Sequence, residues 1–302
     1  MYKLLEINRG TSITKPQLNL LEIQKLIENK HYQQALNALK DVISQTPNHA
    51  DALYMQSVCL RYLGRLDEAL TQLSQLQREN PLFSRAFQEE GHLQMARSDT
   101  NAALRAYQHA TRLNPALLAS WKRQLSIFAR QGNQAAINQV TPQFERINRL
   151  PQKLLAAMDL TAQGKLIRAE DLCREFLQKA PDHVDGMRIL ADIGIKLGVM
   201  DDAEFLLESA ILIEPDHSRA RIEYVEVLRK RQKFEAALIE AGKLLERDPS
   251  NPQYQSLYAI VCMQTGDYSK ALEFFDRILK AVPTDAGTLT SKGHALKTIG
   301  KT

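Results

Sequence analysis

The residues of this chain that could do chemistry are two adjacent carboxylate pairs, seven histidines and three cysteines. Paired carboxylates can serve as general acid and base, histidine can bind a metal or move a proton, and a thiolate can be a nucleophile. The carboxylate pairs are Glu89–Glu90 and Asp201–Asp202, both on predicted helices, where neighbouring side chains point about 100° apart. We therefore predict no two-carboxylate site, and we interpret Asp201 and Asp202 as charges at the start of a helix.

The cysteines do not form a site in the sequence either. Cys59, Cys173 and Cys262 are far apart, show no CxxC pattern, and fall at or beside packing positions of predicted helices. This pattern predicts buried, inert thiols instead of a disulfide framework or a zinc site. The chain also lacks a phosphate-binding loop, a dinucleotide-binding glycine pattern, a nucleophile elbow and an HExxH pair. We predict no catalytic residue, no metal and no cofactor in this chain.

Composition excludes further classes of protein. The net charge of +4 is too small to favour nucleic acid as a partner. No apolar run reaches the ~18 residues of a membrane span, and Glu6, Asn8 and Arg9 interrupt any signal-peptide pattern at the start. Three unpaired cysteines fit a reducing compartment, so the sequence predicts a cytoplasmic protein.

Proline and alanine recur with one fixed period of 34 residues. The prolines are Pro47, Pro81, Pro115, Pro181, Pro215, Pro249 and Pro283. Twelve residues before each proline stands an alanine: Ala35, Ala69, Ala103, Ala169, Ala203, Ala237 and Ala271. A period of this length predicts an all-α solenoid built from stacked antiparallel helix pairs.

Each repeat reads as two helices separated by a turn. With the proline at position 32, the units are 16–49, 50–83, 84–117, 118–149, 150–183, 184–217, 218–251 and 252–285, followed by a half unit, 286–302. Glycines that supply a left-handed residue mark the turn between the helices: Gly64, Gly132, Gly164, Gly198, Gly266 and Gly300. The histidines at position 34 are predicted to serve the turn between repeats: His49, His183 and His217.

These features resemble the tetratricopeptide repeat. The unit 84–117 carries the family pattern in Phe87, Gly91, Ala103, Tyr107, Ala110 and Pro115, and Trp121 occupies position 4 of the next unit. The resemblance covers about residues 16–302. It implies a right-handed superhelical solenoid that serves as a protein–protein interaction scaffold and binds a peptide or protein segment in its concave groove.

The unit 118–149 departs from the pattern. It is two residues short, and Pro142 falls within its expected second helix. We predict that this helix ends near Val140 and that Pro142 opens a new turn with Thr141 as N-cap. The unit either bends the solenoid or is merely a decayed repeat. The predicted organisation is an N-terminal extension (1–15), three repeats (16–117), the short unit (118–149), four repeats (150–285) and the half repeat (286–302).

The half repeat supports two further hypotheses. It lacks a second helix, so we expect the chain to be a fragment of a longer one, or chains to pair end to end as a homodimer or a self-assembling repeat array. Ser291–Lys301, SKGHALKTIGK, resembles the last repeats before the catalytic domain of bacterial tetratricopeptide-repeat sulfotransferases. This resemblance implies the alternative that the chain is a non-catalytic recruiting arm of a sulfotransferase, or of a glycosyltransferase, whose catalytic domain follows residue 302.

The resemblance also selects groove residues. In this family, positions 2, 5, 9, 12 and 13 of each first helix line the concave face, and here ten are basic and five acidic. A mildly basic groove would suit an acidic peptide, although the same charges could simply be solvated. The candidate contacts are Tyr54, Arg61, Tyr62, Arg85, His92, Lys122, Arg130, Arg188, Lys196, Arg229 and Lys230. No unit has the Lys/Asn pair at positions 5 and 9 by which chaperone-binding members hold a C-terminal carboxylate.

Overall fold

The computed structural model describes residues 15–300, so the predicted N-terminal extension lies outside the described part except for Lys15. The described residues form seventeen α-helices and no strand. The first helices of the repeats are α1 (Lys15–Glu28), α3 (Ala50–Tyr62), α5 (Ser84–Ala96), α7 (Leu118–Arg130), α9 (Gln152–Ala162), α11 (Val184–Leu197), α13 (Ser218–Lys230), α15 (Pro252–Gln264) and α17 (Ala286–Thr298). The second helices are α2 (Tyr32–Gln45), α4 (Leu66–Glu79), α6 (Thr100–Leu113), α8 (Gln134–Asn148), α10 (Leu166–Leu177), α12 (Met200–Ile213), α14 (Phe234–Arg247) and α16 (Tyr268–Ala281). None of these helices has the length and apolar character needed to cross a bilayer.

The turn within each repeat needs one residue with left-handed backbone geometry. Gly198 provides it after α11 with φ of 81°, and the other predicted turn glycines also have positive φ. Three repeats use Lys30, Ser98 and Gln232 at the same place, with φ of 62°, 64° and 59°. Residues other than glycine disfavour positive φ. The turn nevertheless falls at the same position in these three repeats, so its position reflects the fixed length of the first helix and not glycine alone.

The position-34 histidines begin the next repeat as N-caps. His49, His183 and His217 each accept a hydrogen bond through Nδ1 from the backbone N–H three residues further on, at 3.4, 3.1 and 3.0 Å. Each bond satisfies one of the backbone donors that a helix start leaves unpaired. The predicted turn role of these histidines is confirmed.

The period-34 alanines lie where the two helices of a pair approach most closely. All seven are fully buried. Small residues of the first helix lie opposite: a Cβ built on Gly194 would be 3.8 Å from the Ala203 Cβ. In the pair α5–α6, a Cβ on Gly91 would lie only 2.4 Å from Tyr107 Cε1. Small side chains at these positions therefore set the spacing between helices.

The chain divides into two compact units. One comprises residues up to Leu150 together with Ala162–Gly164, and the other comprises Pro151–Thr161 and the residues from Lys165 onward. Successive helices pack in chain order from α1 to α8 in the first unit and from α10 to α17 in the second, and each unit has its own buried apolar core. The short unit 118–149 belongs to the first of them, where α7 packs on α6 and α8. The bend proposed at this unit stays a prediction.

The predicted break at Pro142 is wrong. Helix α8 runs without interruption from Gln134 to Asn148, with Pro142 in its interior, and Thr141 is a helical residue and not an N-cap. Proline is accommodated here because it lies on the exposed side of a helix that buries only Ile147 completely. The ring therefore meets no neighbouring helix, although the hydrogen bond to the carbonyl of Asn138 is lost.

Pro142→Ala should consequently stabilise the first unit. Alanine restores the backbone donor and removes the ring without loss of packing, so we expect the free energy of unfolding to rise by roughly 1–3 kcal/mol. Urea unfolding followed by the fluorescence of Trp121, the single tryptophan, reports on this unit because Trp121 lies on the neighbouring α7. Gln143→Ala, an exposed neighbour, is the control and should change little. A lower midpoint for Pro142→Ala would contradict the argument.

Candidate functional site

Several first helices of consecutive repeats contact one another within each unit: α1 with α3 and α3 with α5 in the first unit, and α11 with α13 and α15 with α17 in the second. Side-chain hydrogen bonds also join α5 to α7, from Gln88 to Ser120, and α13 to α15, from Arg229 to Gln264. Their exposed sides are therefore neighbours. We call the surface formed by repeat positions 2, 5, 9, 12 and 13 of these helices the first-helix face and describe it separately in the two units.

Arg61 joins two repeats of the first unit. Its Nε donates to Glu89 Oε1 at 2.5 Å and its Nη2 donates to Oε2 at 3.4 Å. Glu89 is only 2% exposed, and burial raises the pKa of its carboxyl, because desolvation outweighs the opposing effect of Arg61. Sequence reasoning missed this partner because Glu89 occupies position 6, outside the family's groove positions.

His92 is held by the second helix of its own repeat. Its Nδ1 lies 2.8 Å from the hydroxyl of Tyr107, which is completely buried. Burial, together with repulsion from Arg61 and Arg123, lowers the pKa of the His92 imidazole to about 4, and burial raises the pKa of Tyr107 to about 12. Both groups are therefore uncharged at neutral pH.

The aromatic candidates of the first unit are already engaged. Tyr62 is 53% exposed, yet its ring stacks on Tyr32 with centroids 4.3 Å apart, and Arg61 Cζ lies 4.2 Å from the same centroid. Two groups at these distances must occupy opposite faces of the ring, so only the edge and the hydroxyl of Tyr62 can meet a ligand. Tyr54 is half-buried, with its centroid 5.8 Å from that of Phe83. Arg85 is also half-buried and interacts with a neighbouring group.

Helix α7 carries exposed cations. Lys122 and Arg130, both predicted, are exposed, and so is Arg123, which the position rule did not select. Within residues 15–300, none of these three forms an ion pair with a carboxylate. Trp121 is buried beside them and donates through Nε1 to the carbonyl of Pro115 at 2.9 Å, so it contributes to packing and not to the surface.

In the second unit most of the predicted cations are neutralised. Arg188 is 5% exposed and lies between Asp185 at 3.1 Å and Glu223 at 2.6 Å. Arg229 pairs with Glu226 at 2.8 Å. Lys196 pairs with Asp192 on the same helix, whereas Lys230 is exposed and has no carboxylate partner in the described part of the chain. The positive charge of the first-helix face is therefore smaller here than a residue count suggests.

The three cysteine thiols lie in apolar surroundings inside the repeats. Burial raises the pKa of the Cys59 thiol to about 11 and that of Cys173 to about 12, and it also raises the pKa of Cys262. All three cysteines are buried, as predicted. Among residues 15–300, no three His, Cys, Asp or Glu side chains are grouped so as to hold a metal.

The two carboxylates of each adjacent pair contact different partners. Glu89 turns inward to Arg61, while Glu90 accepts from Gln77 Nε2 at 2.8 Å. Asp201 contacts Arg231, and Asp202 lies 3.9 Å from Arg174. In neither pair do the two carboxylates share one of these partners.

A sequence model described as the tetratricopeptide repeat matches residues 26–88, 160–221, 200–260 and 228–289. Among curated proteins, the chain is similar to human tetratricopeptide repeat protein 33, with 29% identity over 101 residues. This match covers 33% of the chain and 38% of the human protein, so the chain spans well under half the length of that relative.

Several solved structures are similar over most of the chain. The Naa15/Naa10 complex bound to HypK-THB shares 16% identity, with 91% of this chain and 43% of that chain covered and a TM-score of 0.42. The Cut9–Hcn1 hetero-tetramer of APC/C shares 14%, covering 95% and 57%, with a TM-score of 0.44. YrrB, described as a TPR protein with an unusual peptide-binding site, shares 15%, covering 73% and 97%, with a TM-score of 0.40. None of these similarities identifies a ligand for this chain.

Proposed function

The chain belongs to the tetratricopeptide repeat family, and we propose that it is an interaction scaffold that holds an acidic peptide or protein segment on its first-helix face. The buried positions of the repeats build the helix pairs, which leaves the exposed side of the first helices free to vary with the partner. The proposal concerns binding only.

One observation supports an acidic partner: the exposed cations of α7 have no counter-charge within the described chain. Lys122, Arg123 and Arg130 lie within two turns and a half of one helix, and each is exposed. Unpaired like charges on one surface repel each other, and a partner that carries carboxylates relieves this repulsion on binding. Such charges steer association and select the partner more than they add affinity.

The alternatives drawn from the half repeat stay predictions. No described residue favours the recruiting arm of a sulfotransferase or glycosyltransferase over a free-standing scaffold. End-to-end pairing of two chains would appear as a mass that rises with protein concentration in light scattering.

Charge reversal on α7 tests the proposed function. We expect the double change Lys122→Glu and Arg130→Glu to weaken binding of a dye-labelled hexaglutamate peptide by at least about tenfold at low salt, or roughly 1.4 kcal/mol. Fluorescence anisotropy measures the affinity, and the difference should shrink as added salt screens the charges. Arg188, which sequence reasoning would choose, is unsuitable because it is buried between two carboxylates.

The matched control reverses two exposed arginines of the second helix α6, Arg105→Glu and Arg112→Glu. The net charge changes equally, so this variant should retain most of the affinity. Equal losses in both variants would show attraction by overall charge alone and would reject a binding face on the first helices.

A further inference from the structure

The polar cluster around His92 has features of a built site within the first unit. We propose that His92 and Arg123, which lie beside the Arg61–Glu89 pair and are here called the His92 site, bind one side-chain carboxylate of an acidic segment, with His92 Nε2–H and the Arg123 guanidinium as donors. This inference rests on the proposed function and adds the residues that anchor the segment.

The orientation of the His92 ring follows from Tyr107. Only one hydrogen can lie between the Tyr107 hydroxyl and His92 Nδ1, which are 2.8 Å apart. If Nδ1 carried it, the completely buried hydroxyl would need a second acceptor for its own hydrogen, and the described residues provide none. An unpaired buried hydroxyl is costly. Tyr107 therefore donates to Nδ1, and the hydrogen of the neutral imidazole resides on Nε2.

The donor on Nε2 is available to a ligand. Among residues 15–300 it has no hydrogen-bond partner. The buried side-chain nitrogen and oxygen atoms without a partner in this part of the chain do not include His92 Nε2, so this nitrogen is accessible to solvent. The hydrogen bond from Tyr107 holds the His92 ring, so the Nε2–H donor is oriented before a partner binds. Pre-orientation of this kind reduces the entropy lost on binding.

The charges around His92 favour an anion. Helix α5 meets α7 where Gln88 Nε2 donates to Ser120 Oγ at 3.0 Å. His92 follows Gln88 by four residues and Arg123 follows Ser120 by three, so both lie about one turn further along these helices. Repulsion from Arg61 and Arg123 contributes to the lowered pKa of His92. The two carboxylate oxygens of Glu89 are both engaged by Arg61, which leaves Arg123 without a counter-charge in the described chain. The site thus presents one neutral N–H and one guanidinium, and it has no free acceptor. A carboxylate, with two acceptor oxygens, matches this pair of donors.

The carboxylate of Glu89 lies in this cluster, but Arg61 engages both of its oxygens. No Asp or Glu occurs between Asp99 and Glu145, a stretch that includes α6, α7 and most of α8. The same stretch holds five basic residues: Arg105, Arg112, Lys122, Arg123 and Arg130. Since Arg123 forms no ion pair within residues 15–300, we expect the partner to supply the complementary charge.

Binding of the hexaglutamate peptide to the full chain tests this inference, with a hexaglutamine peptide as the uncharged reference. We expect His92→Phe, which keeps a ring but removes the donor, and Arg123→Gln each to weaken hexaglutamate binding about tenfold. The matched controls are His109→Phe, a histidine of α6 stacked on Phe87, and Arg105→Gln, an exposed arginine of the same acid-free stretch. Both controls should bind as the unaltered chain does, and Trp121 fluorescence in urea confirms that each variant is folded.

A spectroscopic measurement separates a binding role of His92 from a purely structural one. Long-range ¹H–¹⁵N NMR spectra, assigned with His92→Phe, should show His92 protonated on Nε2, and hexaglutamate should shift that nitrogen while hexaglutamine does not. Protonation on Nδ1, or an Nε2 signal unmoved by bound hexaglutamate, overturns the inference.

The results also distinguish the two proposals. If Lys122→Glu with Arg130→Glu abolishes hexaglutamate binding while His92→Phe and Arg123→Gln do not, the acidic partner stands and the His92 site is rejected. If the unaltered chain does not prefer hexaglutamate to hexaglutamine, both proposals are rejected.

Discussion

Replacement of Arg61 by methionine is expected to destabilise the first unit by roughly 2–3 kcal/mol at pH 7. The change leaves the buried carboxylate of Glu89 without its partner, and breaking a buried pair costs more than the pair contributes. The electrostatic part of this cost is limited, because the Glu89 carboxylate can become neutral by binding a proton. For a carboxyl of ordinary pKa 4.5, protonation at pH 7 costs about 3 kcal/mol.

The cost of Arg61→Met should depend on pH in a defined direction. Burial already raises the pKa of Glu89, so the folded state holds its proton more tightly than the unfolded state does. Stability associated with this group is therefore present below the ordinary carboxyl pKa and is lost as pH rises. Loss of Arg61 raises the pKa of Glu89 further, so the pH range over which Glu89 is protonated in the folded state extends to higher pH. The difference between variant and unaltered chain should be small near pH 4 and largest at pH 7.

Urea unfolding followed by Trp121 fluorescence at several pH values measures this effect. Glu89→Gln provides the control background, since it keeps the shape of the side chain without the charge. In that background Arg61→Met should cost under about 1 kcal/mol and show little pH dependence, so the two changes are strongly coupled. A cost for Arg61→Met that is independent of both pH and residue 89 would refute an ion pair between these groups.

Addition of one methyl group at Gly91 is the second change for which we expect a large effect. A Cβ there would come within 2.4 Å of the ring of Tyr107, which is completely buried and cannot move aside. We expect Gly91→Ala to destabilise the first unit by about 1–3 kcal/mol through overpacking, even though alanine favours helix.

The sign of this effect should reverse when the ring is absent. In a Tyr107→Leu background the added methyl group has room. Gly91→Ala should then stabilise the first unit by about 1 kcal/mol, because alanine favours helix more than glycine does. Gly293→Ala is the matched control, since Gly293 has the same position 8 in its repeat and no atom lies within 4 Å of its added Cβ. The stability of the Gly91 and Tyr107 variants is measured by urea unfolding with Trp121 fluorescence. The stability of Gly293→Ala, which lies in the second unit, is measured by thermal unfolding with circular dichroism. If Gly91→Ala were equally harmful with and without the ring, steric conflict with Tyr107 would be excluded as the cause.

The local architecture was accessible from the sequence because each repeat encodes it in few residues. The period-34 alanines and prolines predicted the helix pairs, and the structure buries every one of those alanines. The glycine turns and the histidines at position 34 were likewise predicted and confirmed. Pro142 was misjudged because sequence reasoning assigned proline its usual helix-breaking cost, whereas α8 has an exposed side that tolerates the ring.

The sequence by itself determined the repeat, the turns within it and the alanines that face inward, since these depend on contacts within one repeat. The tertiary structure alone decided which cations are available to a partner. Arg61 is bound by Glu89, 28 residues away, and Arg188 by Glu223, 35 residues away, so both contacts join neighbouring repeats. Whether a long side chain reaches such a carboxylate depends on the stacking of the helices and on the rotamers it allows, and repeat position does not encode either. For the same reason the sequence selected His92 but did not show that Tyr107 fixes its ring.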